Sequence, residues 1–160
     1  MRNLRCLLLI ILVSSCSSNT SSVRKDNQVG EPYVGLKHVI NNTLKIAKQG
    51  DAEAQYNQGL IYFNGKGVPQ DYKQAAMWYR KAAEQGHAQA QYDLGSMYSN
   101  GKGVVQDDKK AYMWLNVARI NGVDITNAFD ILISSMTTKN INEAKNMSNL
   151  CLESNYQKCN

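Results

Sequence analysis

Two glycine–lysine–glycine tripeptides, at residues 65–67 and 101–103, carry the clearest chemical suggestion in the sequence. A glycine-rich loop can hold phosphate through its backbone N–H groups and a lysine. A phosphate loop, however, follows a strand, and its lysine precedes serine or threonine. Here glycine and then valine follow each lysine, and the flanking segments have helical periodicity. Both tripeptides are therefore predicted to be turns between helices.

A few other side chains could act as nucleophiles or metal ligands. Ser22 and Lys25 have the spacing of a serine nucleophile and its lysine base. Residues 17–31 around them are too polar to fold and hold them together. His38 and His87 have no second ligand at metal spacing, and His87 is interpreted as a solvated loop residue. The sequence thus predicts no catalytic residue, no metal site, no cofactor and no enzymatic activity.

The composition excludes several classes of protein. With 43% hydrophobic and 19% charged residues, the chain suits a globular fold rather than collagen, general disorder or a multi-span membrane protein. Eighteen basic against 13 acidic residues give +5, and loss of Arg2 and Arg5 with a leader would leave 16 − 13 = +3. A balance so mild does not predict a nucleic-acid partner.

The N-terminus has the pattern of an export signal. Basic residues precede an apolar run at 6–13 that is too short to span a bilayer, which indicates a signal peptide at 1–15. Residues 13–16 resemble a bacterial lipobox, and this implies cleavage before Cys16 and lipidation of its thiol. The alternative is a plain signal peptide that leaves Cys16 as a free thiol. Residues 16–32 are predicted to form a flexible tether, because they can bury little apolar surface.

This leader predicts a location. A lipid-anchored Cys16 places the protein in a bacterial cell envelope, in contact with a membrane through the anchor and facing the periplasm or the surface. Ser17, rather than aspartate, follows the cysteine. By resemblance to enterobacterial sorting signals, this favours the outer membrane over the inner membrane.

An internal repeat is the strongest signal in the chain. Residues 50–85 and 86–121 match at 19 of 36 positions without a gap. A fixed period of this length predicts a solenoid, in which each unit buries its apolar face against its neighbours. In each unit, two stretches of helical periodicity flank the glycine turn, and Asp71 and Asp107 are predicted to cap the second helix.

Residues 54–62 and 64–83 look like a Sel-1-like repeat, an α/α relative of the tetratricopeptide repeat. The resemblance implies an all-α fold, an α/α solenoid of antiparallel helix pairs in a tetratricopeptide-like superhelix. Repeats are predicted at 50–85 and 86–121, with an N-terminal capping helix at 33–49 and C-terminal capping helices at 122–160. The closing segment, from Met136 to Cys159, also resembles that of secreted bacterial members.

Cys151 and Cys159 remain once Cys16 is lipidated. One continuous helix would separate their Cα atoms by about 12 Å, too far for a disulfide. A bond requires the last helix to end near Ser154 and the tail to turn back. An oxidising compartment favours the disulfide. The alternative is one buried cysteine and one in a frayed tail.

The predicted function is a non-enzymatic scaffold or adaptor that binds a protein or peptide in the concave groove of the solenoid. By resemblance to related arrays, the first helices of the repeats line that groove. Core packing is the alternative for each tyrosine in the set. The candidate partner-binding residues are Tyr56, Asn57, Tyr62, Asn64, Tyr92, Asp93, Tyr98 and Asn100.

Two other functions stay open. Cysteine-rich secreted relatives are linked to penicillin binding and β-lactam hydrolysis, but they carry a cysteine pair in every repeat, whereas both repeats here lack cysteine. A structural envelope protein or a secreted effector acting on a host would need the same scaffold as an adaptor.

Overall fold

The computed structural model describes residues 32–159; the predicted signal peptide, Cys16 and most of the predicted tether lie outside the described residues. Within this range the chain forms helices and no strand, which confirms the all-α prediction. No described helix combines the length and apolar character needed to span a membrane. The helices are α1 (Pro32–Lys48), α2 (Ala52–Asn64), α3 (Tyr72–Ala83), α4 (Ala88–Asn100), α5 (Asp108–Ile120), α6 (Thr126–Ser135) and α7 (Thr138–Glu153).

Capping residues define where the repeat helices begin. The Asp71 carboxylate accepts from the backbone N–H groups of Lys73 and Gln74, and Asp107 does the same at α5, which confirms both predicted caps. His87 was expected in a solvated loop, and this is wrong. Its Nδ1 accepts from Ala90 N at 3.1 Å and caps α4.

The glycine turns allow neighbouring units to approach closely. Gly65 and Gly101 end α2 and α4 in the left-handed conformation, with φ of 67° and 64°. Gly103 also has positive φ, and a Cβ there would overlap the Tyr72 carbonyl at the start of α3. The turn of the second repeat therefore packs directly on the first repeat. Both tripeptides form turns between helices, as predicted.

The helices stack in the order of the chain. Helices α2 and α3 form one antiparallel pair, α4 and α5 form the next, and α3 packs on α4. Trp114 is fully buried in the main core and Trp78 is 5% exposed beside Ala47 and Ala54. The predicted α/α solenoid is thus confirmed. Helix α1 packs on α2 as a second helix of a preceding unit would.

A buried glutamine in each repeat ties three helices together. Gln91 Nε2 donates to the Ala83 carbonyl at the end of α3 (3.0 Å), and its Oε1 accepts from Asn121 after α5 (2.8 Å). Gln55 makes the equivalent bonds to the Ala47 carbonyl and to Gln85. Each first helix is therefore hydrogen-bonded to the helices on both sides of it.

The C-terminal segment closes the stack. Helix α7 packs on α5 and ends at Glu153, after which Asn155 and Tyr156 adopt positive φ and turn the chain back. Cys151 and Cys159 form a disulfide with Cα atoms 4.6 Å apart. Both halves of the geometric requirement stated for this bond are therefore met.

Candidate functional site: a cleft between α2 and α4

A cleft of about 190 Å³ opens between the first helices of the two repeats. Both helices turn side chains into it because residues three and four apart share one helical face. Its floor reaches Tyr79 of α3, and its mouth reaches the second glycine turn. The lining residues are Leu60, Phe63, Asn64, Tyr79, Asp93, Ser96, Met97, Asn100 and Lys102.

Asp93 is the acidic group among the lining residues of the cleft. Its carboxylate is half-buried and accepts hydrogen bonds from the side chains of Tyr56 and Gln89. Burial raises the pKa of Asp93, because removal from water disfavours the ionised form, while the two hydrogen bonds oppose this increase. Burial and the nearby Asp93 charge raise the pKa of Tyr56 to about 12. Tyr56 therefore stays a neutral hydrogen-bond donor to Asp93.

A histidine and a glutamate lie beside the Tyr56 end. The His87 ring stacks on Tyr56 with centroids 4.6 Å apart. Because His87 Nδ1 accepts from a backbone N–H, Nε2 carries the proton and donates to Glu53 Oε2 at 3.0 Å. Among the described ion pairs, none includes Asp93. Its carboxylate is thus desolvated and held by neutral donors.

Lys102 lies at the opposite end of the cleft. Its Nζ is 5.9 Å from the Phe63 ring centroid and 5.5 Å from that of Tyr72, within the range of cation–π attraction. The Asn64 and Asn100 side-chain amide nitrogens donate to carbonyls one turn back, Leu60 O and Ser96 O. Their Oδ1 atoms accept no hydrogen bond from the described residues and remain available to a ligand.

Five of the eight predicted binding residues lie in or beside a cleft. Asn64, Asp93 and Asn100 line the cleft, and Tyr56 reaches it through Asp93. Tyr92 lines a neighbouring cleft, described below.

The other three predicted residues lie elsewhere. Asn57 faces α1 and donates to Glu53 at 3.1 Å. Tyr98 is 5% exposed, and its hydroxyl accepts from Arg80, so it belongs to the core and not to the cleft. Tyr62 packs against both apolar clusters of the core.

Several lining residues were not predicted. Lys102 was predicted only as part of a turn between helices. Leu60, Phe63, Tyr79 and Met97 were not among the candidate binding residues. One signal could have found some of them: Leu60, Phe63 and Tyr79 align with Ser96, Ser99 and Leu115 and are therefore positions where the repeats differ.

A second cleft lies 36 residues further along the stack, between α4 and α6, with a volume of about 180 Å³. Serines stand there where the first cleft has Leu60 and Phe63, and Leu115 stands in place of Tyr79. The lining residues are Tyr92, Ser96, Ser99, Asn100, Leu115, Ala128 and Ile131. Asp93 aligns with Phe129, so this cleft has no equivalent carboxylate.

The lining of the first cleft suits recognition better than bond-making. Ser96 is the available hydroxyl nucleophile, and the described lining residues include no histidine or cysteine that could activate it or take its place. The other groups are a carboxylate, two amides, a lysine and aromatic faces. Stacked helix pairs with such a surface define an α/α-repeat protein of the solenoid class.

Comparison with known proteins identifies the repeats. Residues 52–87 and 88–122 each match the Sel1 repeat model, so the chain contains two Sel1 repeats, and the predicted resemblance is confirmed. Proteins built from this repeat are typically non-enzymatic scaffolds that bind other proteins. No curated protein sequence matches the chain.

Two solved structures share the fold. The c5321 protein of uropathogenic Escherichia coli, described as a protective antigen with an SLR fold, is 35% identical with a TM-score of 0.70 over 75% of this chain. A Sel1 repeat protein from Oxalobacter formigenes is 41% identical with a TM-score of 0.51 over 52% of this chain. This chain spans only 26% and 34% of their respective lengths.

Proposed function

We propose that this protein is an exported, lipid-anchored scaffold that binds a segment of a partner protein in the cleft between α2 and α4. The observation that carries the proposal is the chemistry of the cleft. A half-buried carboxylate, aromatic rings and two amide oxygens that no described residue hydrogen-bonds line a surface that the stacking of the helices leaves open. Such groups can hydrogen-bond a peptide and pack against its side chains.

In-cell photo-crosslinking tests the proposed binding. Benzoylphenylalanine at Asn64, an exposed position on the rim of the cleft, should form a specific adduct that mass spectrometry identifies as one reproducible protein. The same group at Lys145, an exposed position on α7, is the matched control. Absence of any adduct at Asn64, or equal labelling at Lys145, would count against a partner in this cleft.

The anchor at Cys16 is proposed from the leader sequence. Metabolic labelling with an alkyne fatty acid should modify the wild-type chain but not Cys16→Ser. Density separation of the membranes should then place the wild-type protein with the outer membrane, as Ser17 favours. A wild-type chain without label would support a plain signal peptide, and its presence in the inner membrane would contradict the sorting prediction.

A further inference from the structure

The half-buried Asp93 carboxylate points to the kind of side chain that the partner supplies. We propose that the cleft between α2 and α4 binds an arginine or lysine side chain, with its charged group on Asp93. This inference rests on the proposed function, because it specifies which residue of a partner segment the cleft accepts.

No described ion pair includes the Asp93 carboxylate. Removing a carboxylate from water costs free energy that an ion pair with good geometry can offset. Tyr56 and Gln89 supply hydrogen bonds to Asp93 but no charge. His87, whose positive charge would act on Asp93, is held by Glu53 and by its capping bond to Ala90. A cation from a partner would complete the pairing of Asp93.

The remaining acceptors of the cleft favour a ligand rich in N–H donors. Asn64 and Asn100 present Oδ1 atoms, since their amide nitrogens already donate within α2 and α4. An arginine offers five N–H donors and a lysine three, and neither is an acceptor. Apart from Lys102, the polar groups of the cleft are thus complementary to N–H donors of a bound segment rather than to an acidic side chain.

The shape and apolar lining suit the stem of such a side chain. Leu60, Phe63, Tyr79 and Met97 surround the space next to Asp93. The methylene groups of lysine and arginine pack along apolar surface while the charged head stays with polar groups, and a guanidinium also stacks on aromatic rings. A volume of about 190 Å³ can hold one such side chain but not a folded element.

Lys102 limits where the positive charge can lie. It is at the far end of the cleft, over Phe63 and Tyr72, so it repels a cation there and directs it toward Asp93. The carbonyl groups of the bound segment would be favoured near Lys102. This polarity predicts one orientation of the segment across α2 and α4.

Peptide selection on the full chain, solubilised in mild detergent, provides the test. A displayed library of random heptapeptides is selected on the wild-type protein, and the enriched peptides are synthesised for fluorescence anisotropy. We expect arginine or lysine to be enriched at one position. Replacing that residue by citrulline or norleucine, which are neutral and of similar shape, should weaken binding about tenfold or more.

Variants of the protein test whether the preference for a charged peptide depends on Asp93. Asp93→Asn keeps an oxygen that can accept from Tyr56, and it should bind the charged and neutral peptides equally. Glu153→Gln, an exposed carboxylate at the end of α7, should leave the preference for charge unchanged. Lys102→Met should increase the preference for the charged peptide over the neutral one by about two- to fivefold, because it removes repulsion between exposed or partly exposed charges.

The outcomes separate the two proposals. Enriched peptides without a basic residue, or equal affinity of the charged and neutral peptides for wild-type protein, would overturn the Asp93 inference and leave the binding cleft intact. Specific peptides whose binding is insensitive to Asp93→Asn would do the same. Failure to select any peptide, together with no adduct from Asn64 in cells, would overturn the proposed function itself.

Discussion

The two clefts of the stack have the same backbone position in successive repeats but different chemistry. The first presents Leu60, Phe63, Tyr79 and Asp93, and the second presents serines, Leu115 and no equivalent carboxylate. The asparagine at the rim is common to both, as Asn64 and Asn100. A repeat architecture thus allows one cleft to acquire a carboxylate and aromatic side chains while the neighbouring cleft has neither a carboxylate nor the same apolar lining.

The positions that the repeats share carry the fold instead. The capping residues Asp71 and Asp107, the tryptophans and the buried Gln55 and Gln91 occupy equivalent places and make equivalent contacts. Some residues that differ between the repeats face a cleft, as Leu60 and Phe63 do, or lie in the core, as Gln58 does. Substitutions should therefore separate into those that unfold the stack and those that change only its surface.

The largest effect is expected from the shared tryptophans. Trp114→Ala should lower the free energy of unfolding by about 3–5 kcal/mol, because it leaves a large cavity in the main core. Trp78→Ala should cost less, since Trp78 lies at the edge of the stack beside Ala47 and is slightly exposed. Urea unfolding followed by circular dichroism measures both, and a loss below about 1 kcal/mol for Trp114→Ala would contradict its role.

The next largest loss of stability is expected from substitution of the shared glutamines. Gln91→Met keeps the side-chain length but leaves the Ala83 carbonyl and the Asn121 amide without this partner, at a cost of about 1–3 kcal/mol. Gln55→Met removes the equivalent bonds one repeat earlier. The same urea experiment checks both variants. Unchanged stability in both would show that the glutamines do not tie the helices together.

A core position at which the repeats differ should respond in the opposite direction. Gln58 is 1% exposed, and its Oε1 has no hydrogen-bond partner among the described residues, whereas the second repeat has Leu94 there. Gln58→Leu should raise stability by about 1 kcal/mol, because it removes a buried unsatisfied acceptor. Thermal unfolding measures the change, with the converse Leu94→Gln expected to destabilise. A lower melting temperature for Gln58→Leu would disprove the explanation.

The smallest effect is expected at the carboxylate of the first cleft, and it depends on pH. The folded-state pKa of Asp93 is raised, so wild-type stability falls as the pH rises above the ordinary value of 3.8, and the loss is complete above the folded-state pKa. Asp93→Asn should therefore be slightly more stable than wild type at pH 7. This gain should disappear in acid, below the ordinary aspartate pKa of 3.8, where wild-type Asp93 is protonated in both states. Melting temperatures across this range provide the check, and a gain independent of pH would contradict it.

Local sequence signals were enough to predict most of the fold. The glycine turns and the aspartate caps each act within a few residues, and the 36-residue period is visible when the chain is compared with itself, so a single sequence shows all three. The resemblance to the Sel1 repeat then supplied the stacking of the units. His87 was missed because histidine is an uncommon cap, although it stands where Asp51 caps α2.

The cleft was only partly predictable, because it depends on how separate helices face each other. Asn64, Asp93 and Asn100, which were predicted to bind a partner, line the cleft, and their binding of a partner stays a prediction. Tyr56 and Tyr62 cannot share a helical face, since six residues place them about 120° apart around α2. The same geometry separates Tyr92 from Tyr98, which is buried. Lys102 reaches the cleft from the turn, and no periodicity within a helix would reveal that.

The most direct test of the binding site is NMR chemical-shift mapping. The isotope-labelled full chain is titrated with the segment captured from its partner, and the shifts show whether the segment binds in the first cleft or in the second. Binding in the first cleft predicts large shifts at Asn64, Asp93 and Lys102, with small shifts at Ser99 and Ala128. Equal shifts in both clefts, or shifts confined to the second cleft or to α7, would contradict it.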